Sequence, residues 1–163
     1  MRRFQARLAL SALALAAASA TLAPARADED ARLKPADLAG GYEIVAGEKF
    51  GVPDPAERIK GSSVRFTEDR VVVMDKDSKE IYGATYTLEP AEAAKEAEAS
   101  GAAASKIKMT SKLADSEETV ALGLIDKDGD TVRLVYALPG GDTPREFKTK
   151  DKQLMFILKK KAD

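Results

Sequence analysis

The chain has 163 residues, with 26 basic and 27 acidic side chains and no His, Cys, Trp or Asn. Without His or Cys there is no Ser-His-Asp or Cys-His nucleophilic site, and no His- or Cys-ligated zinc, haem or iron–sulfur centre. Carboxylates, Lys, Tyr, Ser and Thr remain for catalysis, and no disulfide contributes to stability.

The N-terminus reads "MRRFQARLALSALALAAASATLAPARADED". Arg2, Arg3 and Arg7 form a basic region, Leu8 to Leu22 an apolar run, and Ala25-Arg26-Ala27 a small-x-small cleavage signal. That order is the pattern of an export signal, and the run is too short and alanine-rich for a membrane span. Residues 1–27 are therefore read as a Sec-type signal peptide. Four of the 26 basic residues lie there and none of the 27 acidic ones, so residues 28–163 carry 22 basic against 27 acidic side chains, a formal charge of −5. A net negative charge argues against a nucleic-acid partner. No Cys follows the signal to accept a lipid, so an exported protein, periplasmic or extracellular and without a membrane anchor, is expected. No cofactor is implied, and the sequence assigns no oligomeric state.

Residues 28–39 form a polar leader with a helical turn at "KPADLAG". Beyond it the apolar period is near two, and β-branched and aromatic residues are frequent, which predicts strands. Eight are predicted: Tyr42–Gly47, Ser63–Thr67, Arg70–Asp75, Glu80–Leu88, Lys106–Lys112, Glu118–Asp126, Asp130–Leu138 and Gln153–Lys160. "TEDR" and "DKDSK" supply tight turns between the second, third and fourth. "GEKFGVPDPAERIKGS", residues 47–62, reads as a loop carrying a helical turn. "EPAEAAKEAEASGAAAS", residues 89–105, has almost no large apolar group and nothing to bury, so it is read as a low-complexity insertion. Lys159-Lys160-Lys161 is read as a strand end whose charges keep a sheet edge soluble.

The stretch "LGLIDKDGDTVRLVYA", residues 122–137, has three aspartates around a glycine and invites comparison with a calcium loop. Counted from Asp126, Asp128 and Asp130 fall at positions 3 and 5, but Thr131 stands at 6, where such a loop needs glycine, and Ala137 at 12, where it needs a bidentate carboxylate. A hairpin explains the stretch better, because Asp-Gly is a strong two-residue turn signal. Placing Asp128-Gly129 at the tip pairs Ile125 with Val132, Gly123 with Leu134 and Ala121 with Tyr136. The opposite face, with Leu122, Leu124 and Val135, is more apolar than a solvent face should be, which calls for a cover.

With the strands placed, "LAGGYEIVAGEKFGVPDPAERIKGSSVRFTEDRVVV" and "GLIDKDGDTVRLVYALPGGDTPREFKTKDKQLMFILKK" together resemble a lipocalin-like domain of exported, uncharacterised planctomycete-type bacterial proteins. The resemblance rests on the order of a first strand, a "GEK-x-G" turn, a helical turn, an Asp-Gly-Asp hairpin, a Pro-Gly loop, a "P-x-E-F" element and an apolar last strand. Tyr42 stands where that family has Trp, at the closed end of its barrel. The resemblance implies an all-β fold, an eight-stranded antiparallel up-and-down barrel over residues 40–161, whose interior could hold a small apolar ligand or be filled by its own side chains.

A non-catalytic binding module for a small hydrophobic molecule is the expected function. Its candidate lining is Phe66, Tyr86, Met109, Ala121, Gly123, Leu134, Tyr136 and Phe156. The alternative is an envelope structural or protein-interaction domain with a filled barrel. Glu43, Glu57, Glu80 and Glu146 are the carboxylates open to a hydrolase reading, but no spacing sets two of them the roughly 5–9 Å apart that glycoside hydrolysis requires.

Overall fold

Strands whose inward faces are apolar build the computed structural model, which describes residues 33–91, 103–111 and 117–162. The elements are α1 (Pro35–Leu38), β1 (Gly40–Lys49), the two-residue β2 (Val52–Pro53), α2 (Ala56–Ile59), β3 (Ser63–Phe66), β4 (Arg70–Met74), β5 (Glu80–Pro90), β6 (Ala103–Ser111), β7 (Thr119–Asp128), β8 (Thr131–Ala137) and β9 (Gln153–Lys160). Strands β1, β3, β4, β5, β6, β7, β8 and β9 pair with their neighbours in that order, all antiparallel, and β9 returns to β1. The sheet is thus a closed eight-stranded up-and-down barrel, with β2 a short flap on β1. Closure leaves the eight strands without a free edge. The predicted signal peptide, the first residues of the predicted leader and residues 92–102 of the alanine-rich stretch lie outside the described residues.

The predicted strands are all present, with three differences. First, β9 is paired on both sides, with β8 and β1, so Lys159 and Lys160 end a barrel strand and guard no edge. Second, the ladder runs further into the alanine-rich stretch than its composition predicts: Glu89 pairs with Lys106 and Pro90 with Ser105. Ala103 and Ala104 pair with Lys127 and Asp126. Alanine has little strand preference of its own, but the long β7 offers these residues a partner for every backbone group.

Third, the β7–β8 hairpin is closed by Asp128 and Thr131, with Gly129-Asp130 at its tip, two residues away from the predicted register. Gly129 therefore takes the first central position, with φ of 55°, the glycine placement of a type II′ turn. The physical gain is on the outer face. The predicted register sets Leu124 against Arg133, whereas the observed one sets Asp126 against Arg133 and Leu124 against Val135. An opposite-charge pair and an apolar pair replace a mismatch. A slip of two residues preserves the side-chain faces, so the predicted inward set of this hairpin still points inward.

The core follows from that parity. Tyr42, Val64, Phe66, Val71, Ala84, Tyr86, Ile107, Met109, Ile125, Val132 and Leu158 are buried inside the barrel, with Leu38 of α1 and Ile59 of α2 packed at its ends. A second, smaller cluster lies outside. Phe147, from the connection between β8 and β9, covers Leu124 and Val135. This connection thus covers Leu124 and Val135 of the two-sided apolar hairpin and leaves Leu122 exposed. Arg133 lies over the Phe147 ring at 4.4 Å and binds both oxygens of Asp126, itself 1% exposed.

Candidate functional site: the open end of the barrel

The two ends of the barrel are built differently. At the end where β1 starts, Tyr42, Phe66 and Tyr86 stack edge to face, with ring centroids 5.8 and 5.7 Å apart and planes nearly perpendicular. That geometry sets ring edges against ring faces and is the favourable one for aromatic pairs. The phenol of Tyr42 donates to the Leu38 carbonyl at 2.9 Å, and that of Tyr86 to the Thr67 carbonyl at 2.7 Å. Leu38 is fully buried beneath α1, and Lys127 donates to the Asp37 carbonyl. Rings, α1 and the Lys127 strap seal this end.

Towards the other end the interior opens into a pocket of about 230 Å³. Met109, Leu134, Tyr136 and Phe156, four of the eight residues predicted to line the interior, form part of its wall. Phe66 and Tyr86 also point inward, but they belong to the aromatic seal. Ala121 and Gly123 are buried on the inner face of β7 and are not part of the pocket wall. A Cβ on Gly123 would sit 2.1 Å from the Val135 carbonyl oxygen and 2.8 Å from the Tyr136 Cβ, so the glycine is what lets β8 pass this close. Sequence reasoning missed Ile44, Val64, Val71, Val73, Ile81, Tyr82 and Leu158, which complete the wall. Five of these lie on β3, β4 and β5, where alternation carries a signal, but β4 is apolar on both faces and β5 begins at a bulge against β4 between Val73 and Met74; Ile44 and Leu158 lie on β1 and β9.

The wall has no ionisable side chain other than two phenols, those of Tyr82 and Tyr136. Neither hydroxyl makes a hydrogen bond among the described residues. Every fully buried side-chain oxygen or nitrogen there has a partner, so these two unpaired oxygens, on half-buried residues of the pocket wall, keep contact with solvent. Burial, and secondarily the neighbouring Tyr82, push the Tyr136 phenol well above its ordinary pKa, so it stays neutral across the physiological range. Tyr136 and Phe156 lie 6.4 Å apart with planes tilted by 32°.

The carboxylates weighed for hydrolysis lie elsewhere. Glu43 and Glu57 are exposed, Glu80 faces Arg70 at 3.8 Å, and Glu146 pairs with Lys150 at 3.1 Å. In the aspartate stretch Asp126 is bound to Arg133, while Asp128 and Asp130 are exposed at the hairpin tip. A wider groove of about 810 Å³ runs outside the barrel between β6–β7 and the β8–β9 connection, past Lys106, Arg145, Asp142 and Glu146 to Ala91. Its walls carry charges of both signs, and it ends where the described residues stop before 92. The enclosed, one-ended interior is the better-defined site. Comparison of the chain with protein-family models, with curated proteins and with solved structures finds no match.

Proposed function

We propose that this chain is an exported, non-catalytic binding module of the lipocalin-like kind, taking a small hydrophobic ligand in the open end of its barrel. The observation that carries this reading is the uneven filling of the interior. One end is packed with three rings, and the other keeps about 230 Å³ of apolar space, where a purely structural barrel would fill both. A wall without carboxylate, amine or aliphatic hydroxyl supports binding without chemistry. Export rests on the order of basic region, apolar run and cleavage signal in residues 1–27. A second reading, an envelope interaction domain, draws on Val120 and Leu122, adjacent on the outer face of β7 and 40% and 43% exposed.

Ethylbenzene titrated into the purified protein tests the leading reading. Binding should shift the Met109 methyl resonance and raise the thermal midpoint by a few degrees, since ligand at about five times Kd adds ~1 kcal/mol. Val73→Phe, at the pocket wall, should reduce affinity at least tenfold. No shift with ethylbenzene, acetophenone or benzoate at saturation would remove the ligand reading and leave the interaction domain. For export, intact mass after expression with the full N-terminus should give a chain beginning at Asp28.

A further inference from the structure

The two phenols say more about the occupant than the volume does. In a pocket this apolar, a hydroxyl without a protein partner is hydrogen-bonded by water alone, and an occupant that displaces that water must supply an acceptor in its place. Tyr82 on β5 and Tyr136 on β8 come from strands three apart around the barrel, yet both line the pocket, near enough for the Tyr82 phenol to act on that of Tyr136. The other inward-pointing tyrosines, Tyr42 and Tyr86, each have a carbonyl to donate to. The contrast is therefore local to the pocket.

From this we infer that the pocket selects an uncharged molecule with an apolar body and one hydrogen-bond acceptor, such as a ketone or ether oxygen, held by the Tyr82 and Tyr136 hydroxyls. The inference rests on the binding reading above and names its ligand class. Size follows from the volume: a cavity of about 150 Å³ accommodates benzene, so 230 Å³ takes a body of roughly ten non-hydrogen atoms. Charge follows from the wall. No Lys, Arg, Asp or Glu lines the pocket, so a carboxylate or ammonium carried inside would lose its hydration with no counter-ion to offset the loss. Neutral phenols can donate to a carbonyl but cannot compensate a full charge.

Three probes of nearly equal shape separate these statements: ethylbenzene, acetophenone and benzoate, each titrated into the full chain. Acetophenone is expected to bind and benzoate to bind at least tenfold more weakly. In Tyr136→Phe, and again in Tyr82→Phe, acetophenone should lose roughly three- to tenfold in affinity, the effect of one hydrogen bond, while ethylbenzene is unchanged or slightly tighter. A readout without any variant is the carbonyl stretch of bound acetophenone, which should shift to lower frequency than in hydrocarbon solvent. Ethylbenzene and acetophenone responding equally to both substitutions, with an unshifted carbonyl, would overturn the inference and leave the apolar pocket standing. Tighter binding of benzoate would overturn it as well. Failure of all three probes to bind would take the binding reading down with it.

Discussion

Gly123 and Asp126 show how single residues fix the β7–β8 hairpin. Opposite Gly123 stands Tyr136, and the Val135 carbonyl occupies the space in which any side chain at 123 would begin. The obstructing atom is backbone, so it cannot swing aside as a flexible side chain would. Gly123→Ala should therefore displace β8 and with it the Tyr136 ring from the pocket wall. The expected loss is roughly 2–3 kcal/mol, in the upper part of the overpacking range, read as a lower denaturant midpoint with an unchanged m-value. A loss within ~0.5 kcal/mol would mean that β8 can move away at little cost and that the close approach has no structural role. Three residues along, the same hairpin turns outward. Asp126, though almost completely buried, sits on the outer face, where the Arg133 fork and the Phe147 ring enclose it. An aspartate that invites comparison with a metal loop in sequence, where the spacing fails, is a cross-strand anchor in the fold.

At the scale of elements, the connection from Leu138 to Lys152 has almost no regular structure, yet side-chain hydrogen bonds hold it to the barrel. Thr149, 7% exposed, donates from both its amide and its hydroxyl to the Glu48 carboxylate at the end of β1, and its hydroxyl accepts from the Gly51 amide at 2.7 Å. Gln153 accepts from the Lys150 amide and donates to the Asp142 carbonyl, both at 2.8 Å. Loops held by few contacts open locally well below the global unfolding free energy. Thr149→Val removes the hydroxyl in nearly the same volume and leaves the Gly51 amide without its acceptor. Amide exchange in 139–152 should accelerate about tenfold, corresponding to one or two lost hydrogen bonds, while amides of β6 and β7 keep their protection. Equal acceleration in those strands would show that the connection and the barrel open together. The sequence signals that announced the elements were strong where local chemistry decides them. The Thr67–Arg70 and Asp75–Lys79 turns close through Thr67 and Asp75 side chains onto nearby amides, and α1 and α2 fall at the predicted turns. Signals failed where a partner strand decides. Ala103 and Ala104 are strand residues only because β7 lies beside them, and the hairpin register depends on Arg133 finding Asp126, which lies across the turn.

For the molecule as a whole, the inward set was legible from alternation, but the uneven division of that set between the two ends was not. Phe66, Tyr86, Tyr136 and Phe156 look alike in sequence. Only the stagger of the closed sheet brings two of them together with Tyr42 as a seal and leaves the other two on an open wall. That division has a consequence for stability at high pH. Burial, with smaller contributions from Asp69, Tyr42 and Glu68, pushes the Tyr86 phenol up to about 12, and burial likewise raises Tyr42 and Tyr136. In the unfolded chain a tyrosine titrates near 10. The folded state holds these protons more tightly, so their contribution is fully present below about pH 10 and is lost as pH rises towards the folded values. For Tyr86, 5% exposed, the two-unit difference corresponds to about 3 kcal/mol lost between pH 10 and 12. Denaturant unfolding at pH 8, 10, 11 and 12 should show a flat region followed by a steep decline. In Tyr86→Phe, which lacks the Thr67 hydrogen bond, stability should start ~1 kcal/mol lower at pH 8 and then decline less steeply, so that the two curves converge near pH 11. Parallel curves throughout would mean that the Tyr86 phenol ionises as readily in the folded barrel as in the unfolded chain, and that the aromatic end is not sealed against water.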